Sequence, residues 1–378
     1  MGRFGDGIGV STNLLEAAQT AVAAALAPLR GRTPDLALVF VSGPDSDEAG
    51  EHALALTGAA ATIGCSAGGV IGAGQALEGG SSVSVWVGVL PGATLRTFHL
   101  EVMPTGEKAA VVGMPEVRDA TDEVAVLLAD PYSFPVEGFV TTASMTLPGL
   151  PFVGGLAHGV GPGTTRLWVD GRTVDRGAVG VLIDGASARP LVSQGCRPIG
   201  PAMTVTAASG NVVHGLAGLP ALEKIRQVMG ALPPPEQAMA SVGLQIGIAA
   251  DEYTDTHDYL VRGIQGTEGD GLVIGDLITV GQTVRLQVRD AEAADADLRA
   301  ALARCPGQPG SGALLFSCNG RGSTLFGPSF GGASHDVGVV QSGLAADAVA
   351  GFFAGGEIGP VAGRSHLHGF TASMLVFP

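Results

Sequence analysis

Residues 36–44 read Leu36-Ala37-Leu38-Val39-Phe40-Val41-Ser42-Gly43-Pro44, an unbroken apolar run closed by a turn signal. Six apolar residues without polar alternation read as a strand covered on both faces, the pattern of a parallel sheet. A helical spacing follows over 48–56, and a second apolar run over 61–64 ends in the cluster Gly68-Gly69. The same order returns twice. Residues 124–128 end at Asp130-Pro131, a helical pattern covers 136–145, and Phe152-Val153 runs into Gly154-Gly155. Residues 313–317 precede a helical pattern over 337–344, and 350–353 runs into Gly355-Gly356. The expected fold class is α/β: two related halves built from repeated strand-helix-strand units, with mixed β-sheets and glycine-rich strand ends.

Outward from these units, Ala67-Gly68-Gly69-Val70-Ile71-Gly72 matches Ala354-Gly355-Gly356-Glu357-Ile358-Gly359 at all but one position. Each is followed by an alternating run, 81–87 in one case and 370–376 in the other, read as a strand. The first 30 residues carry apolar side chains at helical spacing behind Ser11-Thr12-Asn13, a candidate N-cap. Residues 244–288 are read as a fourth, degenerate copy. Prolines 198, 201, 220 and 233–235 around a short helical pattern mark a joint. The expected division is 1–195, a joint over 196–240, and 241–378.

The 378 residues carry 20 Lys and Arg against 35 Asp and Glu, a net charge of −15. Lys108 and Lys224 are the only lysines, so no basic stripe exists to neutralise phosphates; nucleic acid and anionic membranes are poor partners. No apolar stretch reaches the roughly 18 residues of a spanning helix. Four cysteines without close pairing suggest neither a disulfide framework nor a zinc site. A cytoplasmic location is expected. Sixty glycines exceed what turns need, and in strands they let backbone approach backbone or ligand closely.

The run Ile63-Gly64-Cys65-Ser66-Ala67-Gly68-Gly69, the pair Asp130-Pro131, Val153-Gly154-Gly155-Leu156-Ala157, residues 316–322 (Phe-Ser-Cys-Asn-Gly-Arg-Gly) and residues 352–359 (Phe-Phe-Ala-Gly-Gly-Glu-Ile-Gly) occur in that order. Together they resemble the FIST N and FIST C domains over nearly the whole chain. The resemblance implies an intracellular sensory protein that binds a small-molecule metabolite, an amino acid or a relative of one. Pro378 directly follows the final strand, so signalling is expected to pass through an unidentified partner protein.

Arg321 and Glu357 stand out because both follow apolar strands at glycine-flanked turns, where α/β sheets hold ligands. A guanidinium pairs two-pronged with a carboxylate and a carboxylate accepts from an ammonium, so the two are able to clamp a zwitterion. The alternative is that they pair with each other or cap loop carbonyls. The full candidate ligand-binding set is Cys65, Ser66, Gly68, Gly69, His158, Cys318, Asn319, Arg321 and Glu357. Cys65 and Cys318 lie at strand-to-loop turns, read either as inert buried thiols or as reactive ones.

A different class of function, a hydrolase or transferase with Cys65, Cys318 or Ser66 as nucleophile, needs a base and an orienting group that spacing does not reveal. Gly64-Cys65-Ser66-Ala67-Gly68 has the nucleophile-elbow pattern, as does 327–331, but the glycines after Ser66 argue against the helix an elbow requires. His366 and His368 are spaced to share one side of a strand, yet no HExxH, GxGxxG or Walker A pattern occurs. No catalytic residue, metal or cofactor is expected.

Overall fold

The run that opens as residue 36 is a strand, Leu36–Ser42, buried at every position. It pairs in parallel with Ala61–Ala67 through the helix Ser46–Thr57. Glu123–Ala129 pairs in parallel with Phe152–Leu156 through Val136–Thr146. Gly312–Cys318 pairs in parallel with Ala348–Ala354, and His335–Leu344 lies between them in sequence. Each pair forms the middle of its own sheet, and near-continuous apolar sequence is what a strand covered on both faces requires.

The computed structural model describes residues 2–44, 46–106, 108–118, 122–250, 259–305 and 311–378. They form a mixed α/β protein of two compact units with eight α-helices among the described residues. The first unit comprises Met1–Ser193, Asp297–Leu367 and Thr371–Pro378; the second comprises Gln194–Ala296 and His368–Phe370.

The three sheets of the first unit share one strand order. Beside the first parallel strand runs an antiparallel one: Ser82–Val89, Ala178–Asp184 or Thr371–Phe377. Beside the second runs a strand contributed from another sheet's chain segment. Val70–Gly72 leaves the first sheet to pair with Ala348–Ala354, Glu357–Val361 leaves that one to pair with Phe152–Leu156, and Leu167–Val169 returns to pair with Ala61–Ala67. The exchange closes a cycle. Its inner faces enclose one core, where Phe40, Phe316 and Phe352 meet edge-on or stacked. Helices cover the outer faces; Leu14–Leu26, capped by Asn13 Oδ1 at 3.1 Å from the Leu15 amide, and Ser46–Thr57 lie on the first sheet.

One glycine recurs at the same register in all three pairs. Gly64, Gly154 and Gly351 sit opposite Val39, Leu127 and Leu315, and a Cβ on any of them would run into that partner's carbonyl oxygen. Gly351→Ala is expected to cost about 3 kcal/mol, the upper end of overpacking in a closed core. A drop in denaturant midpoint checks it; an unchanged midpoint would show that the strands part freely.

The second unit is differently built. Cys196–Ser209, Thr283–Arg289, Leu244–Ala249, Tyr259–Glu268, Gly271–Ile274 and Val212–Leu216 pair in turn, all antiparallel, and Val212–Leu216 pairs back to Cys196–Ser209 to close a ring around its own core. Residues 244–288 are therefore no further strand-helix-strand copy, and the shared strand order occurs three times in the first unit rather than once per half. Residues 196–240, expected as a joint, hold two strands of this ring and the helices Ala221–Ala231 and Pro234–Gly243. Their prolines have structural places instead. Pro201 falls in a register irregularity between Ile199 and Met203, and Pro220, Pro233 and Pro234 open the helices.

Candidate functional site

Arg321 lies just beyond the Gly312–Cys318 strand and is fully buried. Its Nε and Nη2 donate to the two oxygens of Asp336, at 2.8 and 2.9 Å. Asp336 also accepts from Ser317 Oγ at 2.7 Å and is 3.0 Å from His335 Nδ1. Burial alone would raise the Asp336 carboxyl, but the Arg321 charge and these hydrogen bonds reverse that and hold it well below the usual carboxylate range. The expected partner of a ligand carboxylate is thus committed to an internal one, because Asp336 enters in the first turn of the His335–Leu344 helix.

Glu357 is equally buried, and its Oε2 accepts from the amide and hydroxyl of Thr371 at 3.1 and 2.9 Å. Burial pushes its carboxyl up to about 8, against the hydrogen bonds from Thr371 and Cys318 and the charge of Arg321. Arg321 and Glu357 feel each other's charge but do not form the pair. A two-ended clamp open to a zwitterion is not what these side chains make. Cys318 adjoins them, with its sulfur 3.4 Å from the Gly320 amide and 3.7 Å from Asn319 Oδ1.

The other candidates gather elsewhere in the same unit. A cavity of about 710 Å³ lies past the C-terminal ends of Leu36–Ser42 and Ala61–Ala67, lined in part by Ser42, Ser66, Gly68, His158, Asp47 and Arg166. Gly68 makes room for an imidazole, since a Cβ there would stand 3.3 Å from His158 Nδ1. Ser66 Oγ donates to the His158 carbonyl at 2.6 Å and accepts from the Arg166 amide at 2.9 Å, so it ties two loop segments together rather than facing a base. Gly69 lies against the Leu77 carbonyl, and Cys65 is wholly buried behind the strand end, where burial pushes its thiol well above the ordinary range. Neither lines the cavity.

Sequence reasoning passed over Asp47 and Arg166, which form the cavity's ion pair at 2.7 Å. The Asp47 oxygens and Glu48 carboxyl come from the first turn of the Ser46–Thr57 helix, and Arg166 Nη1 is held by the carbonyls of Gly163 and Thr165 at 2.8 and 3.0 Å. The only available signal was a lone arginine in a glycine- and threonine-rich loop. Among the described residues no group of three His, Cys, Asp or Glu side chains is arranged to hold a metal, and His366 and His368 do not form one.

Residues 35–219 match the FIST N domain and residues 221–360 the FIST C domain. The chain belongs to the FIST family. An uncharacterized protein of Mycobacterium tuberculosis is 42% identical to it over 99% of each chain, and one of Mycobacterium bovis is 39% identical over 99% of this chain and 98% of the relative. In this FIST protein the cavity falls wholly within the FIST N match, whereas Cys318, Arg321, Asp336 and Glu357 fall within the FIST C match. The boundary at 219–221 lies inside the sequence of the second compact unit.

Proposed function

We propose that this FIST protein is a cytoplasmic sensory protein whose FIST N cavity holds an amino-acid-like metabolite, and that occupancy is read by a partner protein. The observation that carries the reading is the cavity lined by both members of the Arg166–Asp47 pair, at the strand ends where α/β sheets place ligands. Side by side, a guanidinium and a carboxylate offer a zwitterion one contact for each end, and Pro44, Val160 and the glycine turns supply the remaining surface. Charge-assisted bonds of about 1.5–3 kcal/mol each fall short of the roughly 8 kcal/mol of a micromolar complex, so enclosure must contribute too.

A binding role without turnover fits the state of two of the three nucleophile candidates: Ser66 is bonded to backbone and Cys65 is sealed in the core. No helix among the described residues is long and apolar enough to cross a membrane, and none of the four cysteines forms a disulfide, which favours a reducing compartment. The local likeness of 67–72 to 354–359 supports a duplicated origin for the strand-helix-strand units.

A thermal-shift panel of amino acids and their relatives is expected to yield a ligand that stabilises by about 2.7 kcal/mol at a hundredfold excess over Kd. Arg166→Gln is expected to abolish the shift while leaving the unliganded melting temperature nearly unchanged, because the pair is partly exposed, at 27% for Arg166 and 52% for Asp47, and contributes about 1 kcal/mol or less. Silence of the folded protein across the panel would count against the reading.

A further inference from the structure

The Arg321 cluster holds more polar chemistry than its own bonds consume. Asp336 occupies two of the three guanidinium nitrogens and Thr371 occupies one carboxyl oxygen of Glu357. Arg321 Nη1 and Glu357 Oε1 have no hydrogen-bond partner among the described residues, although both side chains are 0% exposed. Each such orphan costs about 1–3 kcal/mol. Two of them around one sulfur mark a place for a small polar molecule.

That sulfur belongs to Cys318, which is 5% exposed at the strand end. It accepts the Gly320 amide at 3.4 Å and lies within interaction range of both Glu357 and Arg321. An N–H donor and a neighbouring guanidinium both stabilise negative charge developing on a sulfur. Arg321 and Glu357 are both 0% exposed, which limits a guest beside them to a few atoms and rules out an amide or ester with substituents. A thiolate, a fixed N–H donor and a carboxyl group together match the needs of one such guest, which must be held by its oxygens, attacked by sulfur and supplied with a proton.

We propose that the Cys318–Arg321–Glu357 enclosure is a hydroperoxide-binding site in which Cys318 is oxidised to a sulfenic acid. In the reactive form Cys318 is a thiolate and the Glu357 carboxyl carries a proton. The thiolate attacks the hydroxyl oxygen of HO–OR; the S–O bond forms as the O–O bond breaks, and the departing RO⁻ takes the proton from Glu357. Sulfur is oxidised by two electrons and the peroxide is reduced to water or an alcohol. The products are Cys318 sulfenic acid, ROH and the Glu357 carboxylate. Arg321 Nη1 donates to the peroxide oxygens as negative charge moves onto them, and Asp336 keeps the guanidinium in place.

The test treats the reduced full-length chain with equimolar hydrogen peroxide and dimedone at neutral pH and maps the trapped cysteine by mass spectrometry. Cys318 is expected to label first, about a hundredfold faster than Cys196, the most accessible of the other three. Glu357→Gln is expected to slow Cys318 labelling at least about tenfold through the lost proton donor, with Cys196 labelling and near-ultraviolet circular dichroism unchanged. Labelling of wild-type Cys318 no faster than Cys196, or none at all, would overturn the site. Labelling at the wild-type rate in a folded Glu357→Gln variant would overturn the step assigned to the carboxyl. Should that variant not fold, the order of labelling in the wild-type chain decides alone.

Discussion

Replacing Arg321 with methionine is expected to destabilise the protein by about 3–5 kcal/mol, the cost of leaving a buried carboxylate without its counter-charge. Asp336 is 4% exposed, and its remaining contacts are the Ser317 hydroxyl and the His335 ring. Methionine keeps an unbranched apolar stem in place of the arginine's, so the loss is that of the guanidinium, including its place 5.3 Å from the centre of the Phe326 ring, rather than of packing volume. The measurement is the urea midpoint at constant slope. The double variant Arg321→Met with Asp336→Leu is expected to recover most of the loss, because removing both charges also removes the desolvation penalty. Losses that simply added would show that the pair is not the reason.

Stability is expected to fall as pH rises from about 4.5 through about 8, and Glu357→Gln is expected to remove most of that slope. Glu357 titrates near 4.5 in an unfolded chain and near 8 in the fold, so the folded state holds its proton more tightly. The contribution is therefore complete below 4.5 and is lost as pH rises through 8, at about 1.4 kcal/mol per unit of separation. Asp6 acts with the same sign over a lower window. Burial lifts it from 3.8 to about 6, against the Ala73 amide that donates to it at 2.6 Å. In the Glu357→Gln variant the residual slope should end near pH 6, and a slope persisting to pH 8 would remove Glu357 as its source.

Much of the fold's grammar was legible because central strands buried on both faces leave short apolar runs closed by turn signals. The runs at 36, 124 and 313 are apolar throughout since neither face meets water. The strand Arg3–Val10 escaped notice for the converse reason: Gly5, Gly7 and Gly9 lie directly under the Leu14–Leu26 helix, which leaves no side chains there to show a pattern. The prolines of 196–240 misled because proline opens a helix or marks a bulge as readily as it marks a linker.

The candidate site divided for a related reason. Ser66, Gly68 and His158 lie around one cavity, while Cys318, Arg321 and Glu357 form a separate buried cluster. Position after an apolar strand correctly put Arg321 and Glu357 at strand ends, but strand ends include both open and closed places. Which is which depends on what arrives from another element. Asp336 arrives from a helix 15 residues onward and closes one; Arg166 arrives from a loop 119 residues beyond Asp47 and lines the other.

By itself the amino-acid sequence determined the family, the α/β class and the elements that carry the polar residues, because these follow from short-range patterns of burial and turn chemistry. Only the tertiary structure decided the partner of each charge, the exchange of strands among three sheets and the separation of cavity from cluster. Those depend on contacts between segments far apart in the chain, and a linear pattern of hydrophobicity carries no record of which distant carboxylate a guanidinium will meet.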